Sequence, residues 1–162
     1  MRLDLECVRV QDGGRFRAVS KTMPPTPARR LVEAFGDCDA MASMYAEGVT
    51  WRLNHSLAPN IAGPHAGKAA VAGFNDAVFN KIYSPGELRV EILDEIGDEA
   101  SSVVRFNIHA RSRRGHSYDV EYVLFAKTEK GAIYEVVELL DTHASIEQHA
   151  GNAVGVPPVT KA

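Results

Sequence analysis

The sequence predicts a single α+β domain: an antiparallel sheet with N-terminal helices packed on one of its faces. Three observations predict it. Segments of helical period fill the first half of the chain and segments of strand period the second, an order that segregates helices to one face of a sheet. The strand segments are joined by Gly97-Asp98, Arg113-Arg114-Gly115 and Glu129-Lys130-Gly131, short turn chemistry that makes consecutive strands antiparallel neighbours. The 162 residues give length for one domain, with a core that needs no staples.

The elements follow in order. Residues 1–25 read as an arm or hairpin: Leu5 to Val10 has strand composition, Asp12-Gly13-Gly14 is a turn signal, and Pro24-Pro25-Thr26-Pro27 is a stiff linker. The compact domain spans 26–150. Thr26 followed by Pro27 is a helix start, with Leu31, Val32 and Phe35 on one face. Asp37 or Asp39 caps a second short helix running through Met41, Met44 and Tyr45, and Gly48 breaks it. Val49 to Leu53 reads as a strand, 54–67 as a loop, and Lys68 to Val78 as a helix with Val71, Phe74 and Val78 as its apolar stripe. Strands are expected around Leu88–Ile92, Ser102–Arg111, Ser117–Lys127 and Ala132–Leu140, then a helical turn from Thr142 to His149. The tail, 151–162, is expected to be flexible.

Composition excludes several functions. A formal net charge of −3 gives no pull toward nucleic acid or anionic membrane. No apolar run approaches a membrane span, and acids stand where a signal peptide is apolar, so a cytoplasmic protein is expected. Cys7 and Cys38 fit no metal or redox spacing, and His109 and His116 flank a turn without a third ligand. There is no phosphate-binding glycine loop and no recognisable nucleophile setting. The expected state is free of metal and cofactor.

Three segments resemble the nuclear-transport-factor-2-like superfamily over residues 26–150: Tyr45-Ala46-Glu47-Gly48-Val49-Thr50-Trp51, Gly67-Lys68-Ala69-Ala70-Val71, and the closing Gly131 to Asp141. That superfamily includes ketosteroid isomerases, SnoaL-type polyketide cyclases and limonene-epoxide hydrolases, and the resemblance implies its cone-shaped α+β barrel: a curved antiparallel sheet with the N-terminal helices packed on its concave face, around a small-molecule pocket. Arg105-Phe106-Asn107 followed by Gly115-His116-Ser117-Tyr118 is similar to the catalytic strand and turn of the epoxide hydrolases, with Asn107 where they carry aspartate and Glu138 where they carry a second one. The isomerases' first-strand base has no counterpart in Trp51-Arg52-Leu53-Asn54.

On the segment from Val103 to Arg111, Arg105, Asn107, His109 and Arg111 share one face, and Val104, Phe106, Ile108 and Ala110 the other. The polar face is either solvated, as in one-sided antiparallel sheets, or, as the resemblance implies, turned into the cone. In the second case Arg105 pairs with Glu138 and keeps it ionised as a general base, and Asn107 orients water or donates to an oxyanion. Trp51, Tyr122, Val120 and Phe35 are the candidate ligand-binding walls. Asp141 is either the working acid in place of Glu138 or the cap of the last helix. Arg111, Arg113 and Arg114 form a basic cluster that reads as a solvated hairpin tip. The functional expectations are a cofactor-independent lyase, isomerase, cyclase or hydrolase acting on a small apolar molecule, a non-catalytic ligand-binding domain, or a protein-interaction module. The resemblance also implies a homodimer through the sheet.

Overall fold

The computed structural model describes residues 24–152 and 154. The expected arm and tail lie outside the described residues except for 24–25, 151–152 and 154. Helix α1 (Pro27–Glu33) begins as its residues dictate: Thr26 Oγ1 accepts the Arg29 N–H at 3.3 Å, and Pro27 sits where no N–H is needed. In α2 (Cys38–Ser43) the Asp37 carboxylate accepts the Ala40 N–H at 3.0 Å.

Strand β1 (Tyr45–Arg52) begins earlier than expected, because Tyr45 and Gly48 are already strand. Tyr45 pairs with Ile133 and Thr50 with Glu135, and a register shift absorbs the residues between. The buried Tyr45 hydroxyl accepts from Asn75 Nδ2 at 2.7 Å. Tertiary pairing thus overrides the local helical pattern. The 54–67 loop carries a short α3 (Pro59–Ala62) and β2 (His65–Ala66). Helix α4 (Lys68–Lys81), strands β3 (Arg89–Gly97), β4 (Ser101–Arg111), β5 (Ser117–Glu129) and β6 (Ala132–Leu140), and α5 (Thr142–Ala150) complete the chain.

The sheet order is β2-β1-β6-β5-β4-β3. Strands β3 to β6 form the expected antiparallel meander. Between β5 and β6, Lys130 (φ 52°) and Gly131 (φ 81°) make a two-residue turn with both central residues left-handed, the geometry that matches strand twist. Strand β1 runs parallel to β6, so the sheet is mixed rather than wholly antiparallel. Residues 53–131, about half of the chain, connect these two strands, which is ample for a parallel crossover.

The helices cover one face of this sheet. Val104, Phe106, Ile108, Val120, Tyr122, Leu124 and Ala126 bury that face against Leu31, Val32, Phe35, Met41, Val71 and Phe79. Each large side chain contributes about 1.5–3 kcal/mol by leaving water. Ala28 N–H donates to the buried Ser102 Oγ at 3.0 Å, tying α1 to β4. No helix among the described residues is long and apolar enough to cross a membrane.

Candidate functional site

Glu138 breaks the apolar pattern of the concave face. On β6 it points inward with Val136 and is only 6% exposed. Trp51 Nε1 donates to its Oε2 at 2.9 Å. Burial pushes its pKa from 4.5 up to about 7, with the Trp51 hydrogen bond pulling the other way.

Arg105 and Asn107 are not at this site, which corrects the inward placement implied by the resemblance. The apolar Val104, Phe106 and Ile108 take the inner face of β4, so Arg105 and Asn107 lie outside. Arg105 is half exposed, with Nη1 3.5 Å from Glu121 Oε1 on the neighbouring strand. Asn107 sits opposite Glu91. An inward guanidinium would require a fully paired buried charge, whereas outside it is solvated. His109 shares that outer face, with Nε2 3.1 Å from Glu91 and Nδ1 3.1 Å from Asp119. Asp141 accepts the Ala144 N–H at 2.9 Å and caps α5.

Glu138 opens on a cavity of about 110 Å³ whose other walls include Trp51, Phe74, Tyr83, Ile108, Tyr118 and Tyr122. Of the four expected walls, Trp51 and Tyr122 line it. Val120 and Phe35 do not: both belong to the buried core, where Phe35 packs on Phe79 and Phe106 at ring-centroid distances of 4.9 and 5.7 Å.

A chain of hydroxyls faces the carboxyl group. Tyr118 Oη is hydrogen-bonded to Tyr122 Oη and, at 2.9 Å, to Ser145 Oγ. The Tyr83 ring lies 5.4 Å from Tyr118. Burial raises all three phenols, Tyr83 and Tyr122 well above their ordinary value, so they remain protonated donors at neutral pH. Tyr122 is opposite Leu140 and Glu138 opposite Leu124, making Tyr122 and Glu138 diagonal neighbours on one face, about 7 Å apart at the backbone.

Two further polar groups line the cavity, Asn75 and His149. Asn75 Oδ1 is buried without a partner among the described residues. His149 stacks on Tyr118 at 4.6 Å, and its pKa is lowered by burial and then by Arg114 and His116. Sequence reasoning missed Tyr83, Tyr118, Asn75 and His149. Tyr118 carried a signal, since it shares a strand face with Tyr122. Asn75 lies within the expected apolar stripe of α4, four residues after Val71 and three before Val78, and a polar residue on that face was its signal.

The arrangement offers one carboxyl group poised between its two protonation states, neutral O–H donors across from it, and apolar walls. Such a site is suited to moving a proton on a small apolar molecule. Among the described residues Glu138 is the one carboxylate in the lining.

The chain belongs to the SnoaL-like domain family, which matches residues 28–136. No curated protein matches this sequence. Among solved structures, an NTF2-like protein of unknown function from Burkholderia pseudomallei is 23% identical at TM-score 0.64, covering 74% of this chain and 92% of its own. A provisionally assigned polyketide cyclase from Pseudomonas putida is 20% identical at TM-score 0.62, with coverage of 77% and 98%. TerC, co-crystallised with polyporic acid, is 20% identical at TM-score 0.61, with coverage of 75% and 93%. At these identities the likeness is one of fold.

Proposed function

We propose that the protein is a cofactor-independent proton-transfer enzyme, an isomerase, lyase or cyclase, acting on a small, mainly apolar carbonyl compound. The observation that carries this reading is Glu138: a carboxyl group with its pKa raised to about 7, facing a cavity with phenol donors diagonal to it. Ionised Glu138 removes a proton from the carbon next to a carbonyl. The bond's electron pair moves to the carbonyl oxygen, and the Tyr122–Tyr118–Ser145 chain donates a hydrogen bond to the oxyanion so formed. The protonated Glu138 then returns its proton to a second carbon, or a leaving group departs. Trp51 fixes the carboxyl rotamer. Arg105 and Asn107 act outside the chemistry, as part of the outer surface of the sheet.

The fold neighbours that carry isomerase and polyketide cyclase names agree with this class of chemistry. The test uses deuterium exchange at the α-carbon of small ketones and enones in D₂O, followed by NMR. The wild-type protein is expected to exceed the buffer rate and Glu138→Gln to fall back to it. Binding without exchange would leave the protein a ligand carrier and remove the enzymatic reading.

We also propose a homodimer through the outer face of the sheet. Ile96, Val103, Phe125 and Val137 pair successively across β3, β4, β5 and β6, giving an apolar row on the side away from the helices. Ile96 is 71% exposed and Phe125 40%. Such a row fits a second copy of the same sheet, since a two-fold interface needs one self-complementary patch.

A further inference from the structure

The basic hairpin tip between β4 and β5 does not simply point into solvent. Lys81, Arg113 and Arg114 surround a second recess of about 440 Å³, and Ile61, Ile82 and His149 line both it and the inner cavity. The inner cavity and the cationic outer recess therefore adjoin across Ile61, Ile82 and His149. Arg113 is held in place: its Nε and Nη2 donate to the Asn80 carbonyl, at 3.0 and 2.7 Å, near the end of α4. Two of its five N–H groups are used in this way, which leaves the rest free to donate. Its backbone N–H donates to the Ile82 carbonyl at 2.8 Å, so the turn is tied to this shared wall. Arg114 has no ion-pair partner among the described residues, and Lys81 is offset only by Asp76 at 3.6 Å. On a chain whose formal net charge is −3, this is a concentration of positive charge beside an otherwise apolar pocket.

We infer that the ligand is an amphiphile with an anionic head, a carboxylate, which Arg113, Arg114 and Lys81 hold in the outer recess while its apolar portion passes Ile61, Ile82 and His149 into the cavity beside Glu138. This rests on the reading of the inner cavity as a small-molecule site and adds the ligand's charge and direction of entry. The inner cavity is smaller than the roughly 150 Å³ that accepts benzene in an engineered apolar core, so a slim chain suits it. Arginine is also the residue whose planar fork matches a carboxylate.

Trp51 is the only tryptophan and lines the inner cavity, so its emission reports what enters. The experiment titrates octanoate and octan-1-ol, which share a chain and differ in the head, against the full-length protein. Octanoate is expected to bind about tenfold more tightly, with the preference shrinking as salt shortens the screening length. In Arg113→Gln/Arg114→Gln the octanoate affinity should fall most of the way to that of the alcohol while the alcohol's own affinity stays put. Lys81→Gln provides a second, single-site variant that leaves the turn intact and should lose part of the preference. Equal binding of the two probes by the wild-type protein overturns the anionic-head inference and leaves the cavity reading standing. Failure of both probes to change Trp51 emission overturns the two together.

Discussion

The two faces of β4, β5 and β6 are made by the same strands and obey opposite rules. The inner face is mainly apolar and buried; the outer one carries Arg105, His109, Asp119 and Glu121 in solvated polar contacts. Each face also has its exceptions. Inside, a single carboxyl group, Glu138, interrupts the wall; outside, Ile96 and Phe125 interrupt the charges. A polar residue is unremarkable outside and costly inside, and an apolar one the reverse. The exceptions are therefore where function is to be sought: catalysis at Glu138 and self-association at Ile96 and Phe125.

The largest effect should come from the inner exception. Glu138→Gln keeps an acceptor for Trp51 but cannot take a proton, and is expected to lower turnover about 10²–10⁴-fold. In the wild-type protein, kcat/KM should rise with pH and level off above an apparent pKa near 7, as the base ionises. Next is the packing contrast. Phe106→Ala should cost about 3–5 kcal/mol in urea unfolding, since Phe106 is fully buried.

The same Glu138→Gln variant should gain stability at alkaline pH. With a folded pKa of about 7 against 4.5, the native state holds a proton that the unfolded chain has released, so wild-type stability declines as pH rises from about 4.5 to 7. The variant escapes this decline, gaining about 3 kcal/mol at pH 8 and nothing below pH 4.5. Melting curves at the two pH values check it; a gain of the same size at both would mean that protonation is not its source.

On the outer face, Ile96→Glu should convert a dimer to monomer in sedimentation velocity while leaving α-carbon exchange intact. Smallest of all, Arg105→Ala should shift stability by less than about 0.5 kcal/mol and leave the exchange rate unchanged. A large loss of exchange in that variant would undo the separation of the faces.

These faces also explain what was legible in the sequence. The alternation along β4 separated its two sets of residues correctly, and the plain physical rule, apolar side inward, chose the orientation that the family resemblance reversed. On β6 no such rule was available, because Val137 and Leu139 on one face are as apolar as Val136 and Leu140 on the other. Glu138 thus stood out as an acid without revealing its direction. The caps at Thr26, Asp37 and Asp141 were readable because each is set by neighbours three residues away. The cavity walls Tyr83 and His149 were not, because only the closed fold brings the β3 approach and α5 together.

The burial of Glu138 has a further consequence. A carboxyl group that is half-protonated near neutrality makes ligand uptake a proton-exchanging event. An apolar guest that desolvates Glu138 further favours the neutral acid, so binding draws a proton from the buffer. Calorimetric enthalpies measured in phosphate and in Tris at pH 7 should then differ in proportion to the buffers' ionisation heats, and the difference should disappear in Glu138→Gln. The proton count of binding would then report directly on the protonation of Glu138.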